Sequence, residues 1–179
     1  MADFTFYTLE TAPEDARKLL TQIQKGYGYI PNLFAYMAEA PTTVEAYLTL
    51  NTLIEKTSLT PAQQQVALLA VSVQNECEFC TVAHRAIGKM KQANSQTLDA
   101  LNSGGVIKDP QDAALAAFTR SVVTSRGRPG EDAIAAFLDI GFTKQHIFEV
   151  ILIVSIKTLS NYINHLTTPE PNEELLSML

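Results

Sequence analysis

The sequence predicts an all-α fold in one domain, a bundle of about eight or nine helices. Apolar residues recur at helical spacing in one segment after another, and caps, prolines and glycines bound those segments. No segment alternates with period two, and no Asn-Gly or Asp-Gly hairpin signal occurs. With 179 residues, 46% of them hydrophobic, the chain can bury a core without disulfide or metal staples and is too apolar for disorder.

Taken in order, Thr11, Pro13 and Glu14 make a capping-box pattern before Ala16, Leu19, Leu20 and Ile23, and Gly26 and Gly28 close that helix. Pro31 opens a short second helix through Phe34 and Met37, and Pro41 a third carrying Val44, Tyr47, Leu48 and Ile54. Thr60, Pro61 and Gln63 supply an N-cap, an N1 proline and an N3 glutamine directly before Val66 to Val71. That helix is apolar almost all round, which makes it central. A fifth starts near Glu76 or Cys77 and runs past Phe79, Val82, Ile87 and Met90, and a shorter one covers about Ser95 to Leu101. Asp109-Pro110 opens the next, which buries Leu115, Phe118 and Val122 and stops at Gly127 to Gly130. Two more run from about Glu131 to Asp139 and from about Thr143 to His165, ended by Gly141 and by Pro169 and Pro171. The domain is expected over residues 1–168, with 169–179 a C-terminal tail or arm.

A net charge of −6 with only 13 lysines and arginines excludes nucleic acid and anionic membrane surfaces as partners, because both reward a basic patch. The longest apolar stretch, Phe148 to Ile156, runs nine residues and carries Glu149, whereas a bilayer span needs about 20. It reads as a buried helix. The N-terminus shows no secretory pattern, so a cytoplasmic location is expected. Apolar helices such as Val66 to Val73 and Phe148 to Ile156 exceed what one layer covers in so short a chain, so a homo-oligomer is expected.

Only two cysteines exist, in Glu76-Cys77-Glu78-Phe79-Cys80-Thr81-Val82-Ala83-His84. On a helix, steps of about 100° per residue put Cys77, Cys80 and His84 within roughly 60° of one another. Thiolate, resolving thiol and base then share one stripe, and Gly88 one turn on leaves room for access. A first-turn cysteine also gains from the positive helix end. Other chemistries fit less well. A structural zinc site takes four ligands, and this spacing supplies three with no second cysteine pair. A c-type haem needs His after the second cysteine, where Thr81 stands, and a thioredoxin-type pair follows a strand. The bland alternative is two small core residues and a surface histidine. No metal and no cofactor are expected.

The stretch Leu59 to His84, LTPAQQQVALLAVSVQNECEFCTVAH, resembles the alkylhydroperoxidase D-like branch of the carboxymuconolactone decarboxylase superfamily, with its Glu and then Cys-x-x-Cys-x-x-x-His. Tyr27 to Leu33, YGYIPNL, resembles the lead-in of its peroxidase-related members. The resemblance implies an all-helical subunit in a dimer, trimer or hexamer. It also implies a thiol-dependent peroxidase cycling through a Cys77–Cys80 disulfide, with His84 on the motif's histidine. A hydroperoxide is then the substrate, and an external thiol or dithiol protein the reductant. The family's relay glutamate falls on Gln65, twelve residues before Cys77. Gln65 cannot titrate, though it can orient His84 by hydrogen bonding. Restoring the carboxylate, Gln65→Glu, is expected to raise turnover.

Geometry on the helix favours Cys80 as attacker, since His84 is one turn from it. The helix end favours Cys77. The same residues would serve a general thiol-disulfide oxidoreductase or a non-enzymatic redox-sensing scaffold. Asn161 and His165 form an i,i+4 pair near a helix end, where a histidine is more often a dipole partner than a catalyst. His146 reads as structural or surface, and Tyr27, Tyr29 and Phe34 as core rather than pocket lining.

Overall fold

The structure is a computed structural model and describes residues 3–179. Among the described residues are ten helices and no strand: α1 (Glu14–Tyr27), α2 (Asn32–Met37), α3 (Pro41–Ile54), α4 (Pro61–Gln74), α5 (Glu78–Met90), α6 (Ser95–Ser103), α7 (Pro110–Thr124), α8 (Glu131–Asp139), α9 (Lys144–Thr167) and α10 (Glu173–Leu176).

α4 sits at the centre and packs on α5, α6, α7 and α9. Every residue from Gln64 to Ser72 is buried, as an all-round apolar helix requires. Its start is set by the expected capping box: Gln63 N donates to Thr60 Oγ1 at 3.2 Å, and Thr60 N to Gln63 Oε1 at 3.0 Å. α9 begins on the same device, with Thr143 N donating to His146 Nδ1 at 2.9 Å, so His146 is a capping residue. By length and hydropathy α9 could cross a bilayer. In this fold its Val150, Ile153 and Ile156 are buried, and it packs on α2, α3, α4, α5 and α7. Phe118, Phe137 and Phe142 stack at 4.3 and 4.4 Å between ring centroids and tie α8 to α7.

Local expectations are corrected at Thr11 and at Gly88, while the helix expected to start near Glu76 or Cys77 does so. The Thr11–Glu14 box does not form, because Thr11 Oγ1 accepts from Thr8 N at 2.9 Å and Pro13 takes the N-cap of α1. Cys77 is the N-cap of α5 rather than part of its helical body. Gly88 gives no access to the site. It is buried, and a Cβ there would stand 2.9 Å from Leu98 Cδ2, so the missing side chain admits α6. Residues 169–179, expected as a tail or arm, carry α10 against α5, with Leu175 buried and Asn172 Oδ1 accepting from Asn32 N at 2.8 Å.

Candidate active site

The joint between α4 and α5 aims the cysteines. Glu76 adopts a left-handed φ of 57°, which lets Glu76 N donate to Val73 O at 3.0 Å and Cys77 N to Ser72 O at 2.9 Å. This is the Schellman arrangement with glutamate where glycine is usual, at a local cost of about 1–2 kcal/mol. Cys77 then leaves in an extended conformation, and Cys80 lies in the first turn of α5, where the helix end acts on it. Both cysteines are 2% exposed, while Glu76 and Glu78 face solvent.

His84 follows one turn later and is fully enclosed. Its Nδ1 lies 3.0 Å from Gln65 Oε1 on α4. With that amide oxygen as acceptor, Nδ1 carries the hydrogen and Nε2 keeps the lone pair. Burial, and secondarily the charge of Lys157, hold the imidazole well below its usual pKa, so it is neutral. Gln65 therefore orients the His84 imidazole without titrating.

The remaining wall comes from α9. Lys157, Ser160, Asn161 and Asn164 stand at i, i+3, i+4 and i+7, and all four are buried. Asn164 Nδ2 donates to Cys80 Sγ at 3.2 Å and reaches Cys77 Sγ at 3.6 Å. Ser160 Oγ is 4.0 Å from Cys80 Sγ, and Lys157, one turn before Ser160, brings a positive charge to bear on that sulfur. Asn161 Oδ1 accepts from Asn75 Nδ2 at 3.0 Å, while Asn161 Nδ2 and Asn164 Oδ1 are buried without a partner. His165 is exposed and lies against the Tyr162 ring. The Asn161–His165 pair is thus divided between core and surface. Phe34 is buried with Tyr47 edge-on at 5.2 Å, and Tyr27 is largely exposed. Tyr47, from α3, is the aromatic whose hydroxyl feels both sulfurs, and burial first of all pushes its pKa up.

Lys157 and Asn164 are functional candidates that sequence reasoning missed. Their signal is a polar stripe of helical period inside a helix that otherwise reads as apolar.

The two sulfurs ionise in opposite directions. Cys80 is held well below the usual thiol pKa by the hydrogen bond from Cys77 and then by the Lys157 cation, against the opposing effect of burial. Cys77 is pushed up by holding its proton in that hydrogen bond and by burial. The reduced site therefore favours the thiolate at Cys80, the thiol at Cys77 and a neutral His84. Among the described residues, no group of three or more His, Cys, Asp or Glu side chains is arranged to hold a metal ion.

Residues 41–120, which run from α3 to α7 and include the dithiol, match the model of the carboxymuconolactone decarboxylase family. No curated protein matches the chain. Among solved structures it is similar to the alkylhydroperoxidase AhpD core of an uncharacterized peroxidase-related protein from Ralstonia eutropha JMP134. That likeness has a TM-score of 0.83 at 23% identity and covers 98% of this chain and 96% of that one. An uncharacterized peroxidase-related protein from Silicibacter sp. TM1040 gives 0.79 at 20% identity, covering 97% and 95%. The debrominase Bmp8, solved as a cysteine-to-alanine variant with 2,3,4-tribromopyrrole, gives 0.79 at 15% identity, covering 99% and 96%.

Proposed function

Because this chain belongs to the carboxymuconolactone decarboxylase superfamily and has the fold of its alkylhydroperoxidase D-like branch, we propose that it is a thiol-dependent peroxidase working through a Cys77–Cys80 dithiol/disulfide cycle. A debrominase shares the fold, so the fold alone does not select the substrate. The observation that carries the reading is the geometry around the sulfurs: Asn164 Nδ2 donates to Cys80 Sγ at 3.2 Å and reaches Cys77 Sγ at 3.6 Å, with the Gln65-held His84 one turn on along α5, an arrangement that favours ionisation at Cys80 over Cys77.

The Cys80 thiolate attacks the terminal oxygen of a hydroperoxide, the O–O bond breaks, and Cys80 becomes a sulfenic acid as alkoxide or hydroxide departs. Cys77 then displaces the hydroxyl of the sulfenic acid. His84 accepts the Cys77 proton on Nε2 and delivers it to the departing hydroxyl, so that water and the disulfide form. An external thiol or dithiol protein returns two electrons and two protons by thiol-disulfide exchange. Such a cycle suits a reducing compartment such as the cytoplasm. We further expect a homo-oligomer, since α9 leaves Phe148, Ile151, Tyr162 and Leu166 exposed along one outer face.

One equivalent of hydroperoxide added to the reduced protein is the direct test. Free thiols counted under denaturing conditions fall from two to none. Cys77→Ser leaves a trappable sulfenic acid on Cys80, and Cys80→Ser leaves none. Two thiols that survive the oxidant would refute the reading.

A further inference from the structure

Lys157 is the single buried charged side chain among the described residues, 1% exposed in the middle of α9. Burying a cation in an apolar core is expensive unless an anion accompanies it. It shares a stripe of α9 with Ser160 and Asn164, which approach Cys80 Sγ at 4.0 and 3.2 Å, and its charge acts on Cys80 and His84 of α5. None of these is a carboxylate, and every Asp and Glu among the described residues lies at or near the surface. Position 65, which could have supplied one, is glutamine. The imidazole is neutral and its hydrogen is committed to Gln65. Only one group within reach can carry the balancing charge, and that is the Cys80 sulfur.

We propose that Lys157 is the counter-cation of the Cys80 thiolate and also the acid that protonates the departing alkoxide, so that the enclosed dithiol completes its cycle without a net change in charge. The second half rests on the peroxidase reading above, while the first stands without it. The stoichiometry closes. The thiolate, the ammonium group and the Cys77 thiol together with ROOH become the Cys77–Cys80 disulfide, ROH, H2O and the neutral amine. Sulfur is oxidised by two electrons and the O–O bond takes them up. The Lys157 proton goes to the alkoxide, and the Cys77 proton goes to water by way of His84. Reduction by an external dithiol returns one proton to Cys77 and one to Lys157. The lysine thus never remains as an unbalanced cation after its thiolate has been consumed, which the cost of a lone buried charge would forbid.

Arginine and methionine at this position separate the two roles. Arginine keeps the charge but cannot release its proton in a protein, and methionine keeps the length without charge. In the reduced full-length protein, the ultraviolet absorbance of the thiolate and the alkylation rate of Cys80 are followed against pH, with the modified cysteine located by mass spectrometry. Thermal melts verify that each variant folds. We expect Lys157→Met to move the Cys80 midpoint upward and slow its alkylation about ten-fold or more on the acid side of the shifted midpoint. Lys157→Arg keeps a low midpoint. With a series of hydroperoxides whose alcohols differ in acidity, the wild-type oxidation rate depends weakly on the leaving group, and the rate of Lys157→Arg depends on it steeply. An unchanged Cys80 titration in Lys157→Met overturns the ion pair. An Arg variant that matches wild type across the series overturns the acid role. Should wild-type thiols ignore peroxide while Lys157→Met still shifts the titration, the peroxidase reading fails and the ion pair stands.

Discussion

Replacing Asn164 by leucine separates what this side chain does for reactivity from what it does for stability. Its Nδ2 lies 3.2 Å from Cys80 Sγ, while its buried Oδ1 has no partner. A hydrogen bond to a charged group is worth about 1.5–3 kcal/mol, and one pKa unit is about 1.4 kcal/mol, so losing the bond should raise the Cys80 midpoint by about 1–2 units. Below the wild-type midpoint, alkylation should slow about 10- to 100-fold. Stability moves in two opposing directions. Leucine removes an unsatisfied buried acceptor, which costs about 1–3 kcal/mol in the wild type. It also removes support for a thiolate whose folded pKa lies below its unfolded value, a contribution present when Cys80 is ionised and lost as pH falls through the folded pKa. At neutral pH the two offset each other and the melting temperature barely moves. At acid pH, with Cys80 a thiol, only the first remains and the variant is the more stable protein. Alkylation profiles and thermal melts at two pH values read both. An unmoved midpoint, or a neutral-pH loss above about 10 °C, which is roughly 3 kcal/mol or more for a chain of this size, would refute the reasoning.

Three further outcomes are expected. Gln65→Glu should lift the Cys80 midpoint and slow oxidation by hydroperoxide at neutral pH, because a carboxylate 3.0 Å from His84 Nδ1 competes with the thiolate for the Lys157 charge; this reverses the gain that the sequence alone suggests, and a faster variant would restore it. Burial keeps His84 neutral in the fold while the unfolded chain protonates near pH 6.5, so the unfolded form binds more protons below that pH and stability falls by about 1.4 kcal/mol per unit. His84→Asn should flatten that slope in melts between pH 6.5 and 5, and an unchanged slope would assign it elsewhere. Light scattering should report an assembly larger than the 19.6 kDa subunit, and Leu166→Glu on the exposed face of α9 should weaken it; a wild-type monomer at micromolar concentration contradicts the expectation.

Most of the fold was legible because its boundaries are written locally. Thr60-Pro61-x-Gln63 and Asp109-Pro110 mark helix starts by chemistry contained within a few residues. Where a competing partner lies close by, the signal misleads: Thr11 was free to serve Thr8, so α1 begins without the box. Half of the site was legible for the same reason, since Cys77, Cys80 and His84 share one helix and its cap. The α9 wall was not. Lys157 and Asn164 lie about eighty residues from the cysteines and meet them only through packing, and single polar residues in an apolar helix carry no local mark of what they will face. The i,i+4 reading that selected Asn161 with His165 found the right helix and the wrong partner, because spacing gives a shared face without saying which face turns inward. The same gap accounts for the different sign now expected at Gln65, whose effect depends on a lysine that its own helix cannot reveal.

Enclosure of the dithiol has a kinetic meaning as well as an electrostatic one. With Cys77 and Cys80 each 2% exposed, a small oxidant and a bulky reductant do not meet the same obstacle. A hydroperoxide needs a gap only as wide as itself. A protein thiol must approach along the line of the S–S bond, and the packing that encloses both sulfurs has to open before it can do so. The two halves of the proposed cycle are then timed by different clocks. Oxidation follows the concentration of peroxide, while reduction by a protein climbs with reductant only until it reaches the opening frequency of the chain and stays there. Small thiols that slip through the same gap as the oxidant should show no such plateau.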